Sequence, residues 1–128
     1  MLQKQSKVTV SDGSGVSWLQ VFHIYRGSWR RYANIGDFVK TSVREVVGYP
    51  RYVRGKRYKP LRVGYIVRGL VTNTVAWSRF KDNTRFRFYM NSIVLLKKRG
   101  TFRSKYIYTP ISRMVRKRQY RVLFYYVF

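Results

Sequence analysis

The chain has no cysteine. That excludes disulfides, cysteine-based zinc sites and thiol catalysis, and it leaves the compartment open. Acids are nearly as scarce: Asp12, Asp37, Glu45 and Asp82 are the only four among 128 residues, and His23 is the only histidine. Acid–base and metal chemistry need convergent carboxylates or imidazoles. An enzyme, a metal site, a cofactor and a small-molecule substrate are therefore not expected. A nuclease would have to draw on Asp12, Asp37 or Asp82, and each has a plainer use. Asp12 fits a turn, Asp37 a strand start, and Asp82 a loop before Asn83; Glu45 would pair with an arginine. Gly13-Ser14-Gly15 is not a phosphate loop, because no Gly-Lys-Ser/Thr ending follows. Long apolar runs are also missing. The longest, Val122 to Phe128, falls far short of the ~18 residues of a membrane span. Met1 to Lys7 has neither an apolar signal core nor an Arg-rich amphipathic pattern. The chain is expected to be made where it works, or already processed.

What is present is positive charge. Twenty-eight lysines and arginines give a formal net charge of +24. Such self-repulsion destabilises a compact domain unless a polyanion lies against it. The cations are mainly Arg and are interleaved with twelve Tyr, eight Phe and three Trp, which favours nucleic acid over a membrane surface. Hydrophobic residues make up 45% of the chain, so a packed core is expected rather than a disordered basic tail. The length fits one domain, residues 1–128.

Strand signals recur along the chain. Val8-Thr9-Val10 is followed by the turn residues Ser11-Asp12-Gly13-Ser14-Gly15, then by Trp18 to Tyr25. On that second strand His23 shares a face with Leu19, Val21 and Tyr25 and is expected in the core or at its rim. Further strands are expected over Asp37 to Val47 and over Leu61 to Leu70, with Val63, Tyr65 and Val67 on one face. Phe86 to Tyr89 and Ile93 to Leu96 read as two more, joined by a hairpin at Met90-Asn91-Ser92. Short strands separated by turns predict an all-β, small closed barrel rather than βαβ units. One short C-terminal helical segment is expected over Ile111 to Arg118, with Thr109 as N-cap and Pro110 in the first helical position.

The charge is concentrated in loops. Arg30, Arg31 and Tyr32 follow Gly27-Ser28-Trp29. Arg51, Arg54, Lys56, Arg57 and Lys59 alternate with Tyr49, Tyr52 and Tyr58. Lys97, Lys98 and Arg99 form a basic turn, and Arg113, Arg116, Lys117, Arg118 and Arg121 form the densest cluster. Arginine binds phosphate through a planar fork and stacks on bases, and an aromatic face receives an unpaired base. These residues are the expected RNA-binding set. The first 25 residues carry only Lys4 and Lys7, so that end reads as barrel wall. No helix-turn-helix, zinc-finger or RNA-recognition-motif signature appears. From the residues alone, a free barrel of the OB type acting on single-stranded nucleic acid is the alternative.

The ordered motifs go further. They run Met1-Leu2-Gln3, Val10 to Val16, Gly27 to Asp37, Val43-Arg44-Glu45-Val46, Val67-Arg68, Arg87 to Leu96, Gly100-Thr101-Phe102-Arg103 and Thr109 to Arg113. Together they resemble the large-ribosomal-subunit protein L-fourteen family of bacteria and organelles. Its members carry Met-Ile-Gln, Asp-Asn-Ser-Gly-Ala, Arg-Arg-Tyr-Ala, Gly-Asp, Asn-Ala-x-Val-Leu-Leu and Gly-Pro-Val-x-Arg-Glu-Leu-Arg in the same order. The resemblance implies a five-stranded β-barrel with a short C-terminal helical segment. It implies binding to large-subunit rRNA beside proteins of the L-three and L-nineteen types, and bridges to the small subunit. It also implies a partner in the silencing factor that blocks subunit joining. Departures stand out. Gly13 replaces the family's Asn, and Leu70 to Asn83 differs from the usual basic hairpin. Met114-Val115-Arg116 replaces Glu-Leu-Arg at the end that relatives offer to the silencing factor. The excess of Tyr, Phe and Arg marks a divergent member. A start flush with the family's own suggests an organelle-encoded protein of the mitochondrion, with plastid or bacterial cytoplasm as alternatives.

Overall fold

A computed structural model describes residues 1–48 and 60–115. Five strands form the closed barrel: β1 (Lys7–Val10), β2 (Val16–Ile24), β3 (Phe38–Val46), β4 (Ile66–Asn73) and β7 (Ser92–Leu96). Two short strands, β5 (Ser78–Arg79) and β6 (Arg85–Phe86), pair only with each other. They make a ribbon inserted between β4 and β7. Neighbouring barrel strands are antiparallel, except that β1 and β7 close the barrel in parallel, with Thr9 opposite Ser92 and Val10 opposite Ile93.

Alternation sends one face of each strand into the barrel. Val8, Leu19, Val21, Val39, Val43, Val67, Val71, Ile93 and Leu95 fill it, and Leu2, Ala33 and Leu61 join the same cluster. The polar Thr41 is tolerated inside because its hydroxyl donates to Val67 O at 3.2 Å. A second apolar cluster lies on the outer faces of β4 and β7. Leu70 and Leu96 pack there with Ile35, Ile111 and Val115, flanked by Phe38, Phe86, Phe88 and Phe102.

Gly69 sits between Val39 and Leu95 in the ladder. A Cβ there would lie 2.6 Å from Ile93 Cδ1, and Ile93 is fully buried. Gly69→Ala is expected to cost about 1–3 kcal/mol by overpacking, read by denaturant titration. Adding Ile93→Val removes the clashing methyl, so the pair should cost less than the sum of the single changes.

The structure departs from the sequence-based expectations at five places, each for a local reason. His23 is exposed, because β2 carries a register irregularity against β3 between Val21 and His23. Phe22 and His23 both point outward, and Ile24 returns to the core. The fourth strand begins at Ile66 rather than Leu61. Gly64 is left-handed at φ 89°, and its N–H donates to Val43 O at 2.8 Å, so Val63 and Tyr65 lie in an exposed turn. That strand runs on to Asn73, whose amide donates to Pro110 O at 2.9 Å. Phe86 to Tyr89 is not a strand hairpinned to the next. The backbone amide of Phe88 donates to Thr74 O and the side-chain Oδ1 of Asn91 accepts from Val75 N, which closes the base of the ribbon. Finally, of the helical segment expected over Ile111 to Arg118, the described residues, which end at Val115, show only a 3₁₀ turn, Arg113–Val115. Thr109 does not cap it: its hydroxyl is buried without a partner, while Ser112 Oγ accepts from Met114 N at 3.3 Å.

Candidate nucleic-acid interface

The Gly27–Tyr32 loop begins where β2 ends. Arg26 and Gly27 are both left-handed, at φ 83° and 104°, which turns the chain away from the barrel. Leu2 and Ala33 close the loop by exchanging both backbone hydrogen bonds at 2.8 Å. Asp37 then organises it. One carboxylate oxygen accepts from Arg30 Nη2 at 2.5 Å and from Asn34 N at 2.9 Å. The other lies 3.9 Å from Arg26 Nη1. Arg30 also donates from Nε to Tyr32 O at 3.1 Å, and its side chain is only 28% exposed.

Arg30 is thus committed to shaping the loop, and its neighbours face outward. Arg31 is exposed, Tyr32 is 43% exposed and Trp29 is 94% exposed. Gln3, Lys4 and Ser28 join them around an open cavity of about 320 Å³, a volume at the small end of ligand sites. A solvent-facing indole beside a guanidinium can stack an unpaired base and hold its phosphate. Asp37→Asn should loosen this loop and lower stability by about 1–3 kcal/mol, since one partner of a partly buried charged pair is lost. Thermal unfolding checks it.

Lys97, Lys98 and Arg99 follow β7 in a tight turn. Gly100 N donates to Lys97 O at 2.9 Å and Lys97 N to Thr101 O at 2.8 Å. Gly100 supplies the positive φ of 81° that the turn needs. All three cations are exposed. Arg113 is placed differently. Its guanidinium lies 4.1 Å over the Phe80 ring and 3.5 Å from Asp82, which ties the 3₁₀ turn to the ribbon tip. Arg51, Arg54, Lys56, Arg57, Lys59, Arg116, Lys117, Arg118 and Arg121 lie outside the described residues. Gly48 and Pro60, on either side of the first of those segments, line one cavity of about 400 Å³ with Val46 and Leu61.

The ribbon is a basic surface outside the clusters expected from the sequence. Arg79 stands directly opposite Arg85, and Lys81 and Arg87 are also exposed. Phe80 stacks on Phe86 at 4.3 Å, and Arg87 lies 4.9 Å over the Trp77 ring. The tip turns at Asn83, φ 68°, and Asp82 accepts from Thr84 N at 3.1 Å. The hydrogen bonds from Thr84, with a smaller pull from Arg113, hold the Asp82 carboxyl below its ordinary value. The alternation of Arg and Phe from Arg79 to Phe88 around Asp82-Asn83 was the available signal.

The four acids do not converge. Asp12 holds the β1–β2 turn against β7, Asp37 the Gly27–Tyr32 loop, and Asp82 the ribbon tip. Glu45 is exposed and pairs with no arginine among the described residues. No metal-binding cluster of three or more His, Asp or Glu occurs among the described residues. A family model described as Ribosomal protein L14p/L23e matches residues 1–125.

Proposed function

This chain belongs to the ribosomal protein L14p/L23e family, and from that membership we infer that it is a structural constituent of the large ribosomal subunit that binds rRNA. The observation that carries the reading is the family match over residues 1–125 on a chain of net charge +24. The protein acts by positioning and charge rather than by catalysis. Trp29, Arg31 and Tyr32 offer an unpaired base a face and a cation, and the Lys97–Arg99 turn offers phosphate contacts. We place the protein near the subunit interface, beside proteins of the L-three and L-nineteen types, where it contributes bridges to the small subunit. The mitochondrial ribosome is the proposed setting, with plastid or bacterial ribosomes as alternatives. Arg113 is engaged with Asp82 and Phe80, and no acid follows it in Met114-Val115-Arg116. Capture of the subunit-joining silencing factor at this end is therefore not part of the proposal.

Sedimentation tests the reading. Native lysate is run on sucrose gradients with magnesium varied to split the subunits, and each fraction is probed for this chain. Co-migration with the large subunit after splitting is expected. A peak at the top of the gradient at low salt would overturn the ribosomal assignment and leave a free single-strand-binding barrel.

A further inference from the structure

The outer wall of the barrel carries an arrangement that sheet stability disfavours. His23 on β2 stands opposite Lys40 on β3, and Lys40 stands opposite Arg68 on β4. Two cations placed directly across a ladder repel. The ion pairs among the described residues belong to Arg26, Arg30 and Arg113, with Asp37 and Asp82, so no acid offsets this row. His23 and Lys40 are exposed.

Arg68 is held in place. Its guanidinium carbon lies 4.2 Å over the Phe38 ring and 5.0 Å over the Tyr25 ring. Tyr25 in turn packs edge-to-face with His23, with centroids 5.3 Å apart at 89°. The Arg68 Nε is buried and has no hydrogen-bond partner. A donor left unpaired costs free energy, and a guanidinium fixed by two rings loses less freedom on meeting an anion. In the next register step Arg68 faces Leu96 on β7, and the chain continues into Lys97, Lys98 and Arg99. From β2 to β7 the row crosses three strand spacings, about 14 Å.

We propose that His23, Lys40 and Arg68 form a phosphate-binding row on the barrel wall, which takes the backbone of an RNA strand running toward the Lys97–Arg99 turn. The proposal rests on the RNA-binding reading above and adds to it a surface separate from the Gly27–Tyr32 loop. Stacked Arg68 is the anchor, Lys40 adds a mobile point charge, and His23 contributes a ring hydrogen bond.

The test uses the full chain, a short RNA duplex and single-stranded polyuridylate, with affinity followed against potassium chloride. Arg68→Gln and Lys40→Gln should each weaken binding. Each should also lower the slope of log affinity against log salt by about 0.9 on the duplex or about 0.7 on the single strand. Arg68→Lys should keep the slope and still lose affinity, because lysine lacks the planar fork. Lys40 is exposed, so its variant reports on the row even if Arg68→Gln fails to fold. Wild-type affinity and slope in both neutralised variants, with loss in Arg31→Gln, would overturn the row and leave RNA binding intact. The same pattern with impaired binding to polyglutamate would assign the row to an acidic protein partner and likewise overturn it. A wild-type chain that binds neither RNA would overturn both readings.

Discussion

RNA affinity is expected to fall by roughly 10³–10⁵ between ~50 and ~200 mM salt, the range for about 6–10 neutralised phosphates on duplex DNA. The contact number follows from which cations are free to act. Arg30 and Arg113 are engaged by Asp37 and Asp82. Arg31, Lys97, Lys98 and Arg99 are exposed, as are Arg79, Lys81, Arg85 and Arg87 on the ribbon. These eight fall within that range without the wall row or the cations of residues 49–59 and 116–118. Salt should act on the fold in the opposite direction. A chain of +24 repels itself, and screening shortens the reach of that repulsion. The free protein should therefore unfold at a higher denaturant concentration as salt rises, while its RNA affinity drops. Fluorescence anisotropy with labelled RNA and denaturant titration at matched salt measure the two trends. A flat binding curve would remove the electrostatic basis of recognition, whatever the stability trend.

The ordering of the candidate interface was only partly legible in the chain. Arg30-Arg31-Tyr32 was visible as a basic–aromatic cluster, but its division of labour was not. Nothing in the spacing says that Asp37, seven residues on, takes Arg30 out of solution and leaves Arg31 free. The wall row was hidden for a different reason. His23, Lys40 and Arg68 are far apart in sequence, and only the ladder register brings them abreast. The irregularity after Val21 also reverses the alternation that would have put His23 inside. The barrel itself was legible because alternating Val, Leu and Ile on short strands has few other solutions. The strands that were mistaken are those where a side-chain hydrogen bond or a left-handed glycine ends the pattern. Asn91 and Gly64 do this on either side of β4, and periodicity carries no record of either.

Asp12→Ala is expected to destabilise the fold by about 2–6 kcal/mol, since two buried backbone donors would lose their acceptor at about 1–3 kcal/mol each. Oδ1 accepts from Ser14 N at 3.0 Å, and Oδ2 from Leu95 N at 2.8 Å. The same few residues fasten a third segment: Gly13 N donates to Tyr106 O and Tyr108 N to Ser11 O. Gly13 makes that close approach possible, because a Cβ there would lie 3.0 Å from Tyr108 Oη and 3.1 Å from Ser104 Oγ. Gly13 thus stands at the point where the β1–β2 turn, β7 and the 104–108 segment are joined. Burial pushes the Asp12 carboxyl above its ordinary value, against the hydrogen bonds from Ser14 and Leu95 and the charge of Arg103. Folding therefore favours the protonated form of this group. Its contribution to stability is fullest below the unfolded carboxyl pKa and declines as pH rises through the higher folded one. Asp12→Asn removes that decline and keeps the shape. Its amide nitrogen must face one of the two N–H donors, so at neutral pH the variant should lie between wild type and Asp12→Ala in denaturant midpoint. A midpoint for Asp12→Ala equal to wild type would mean that the turn holds to β7 without the carboxylate, through the Ser11 N to Ile93 O hydrogen bond at 3.0 Å and the apolar packing beneath it.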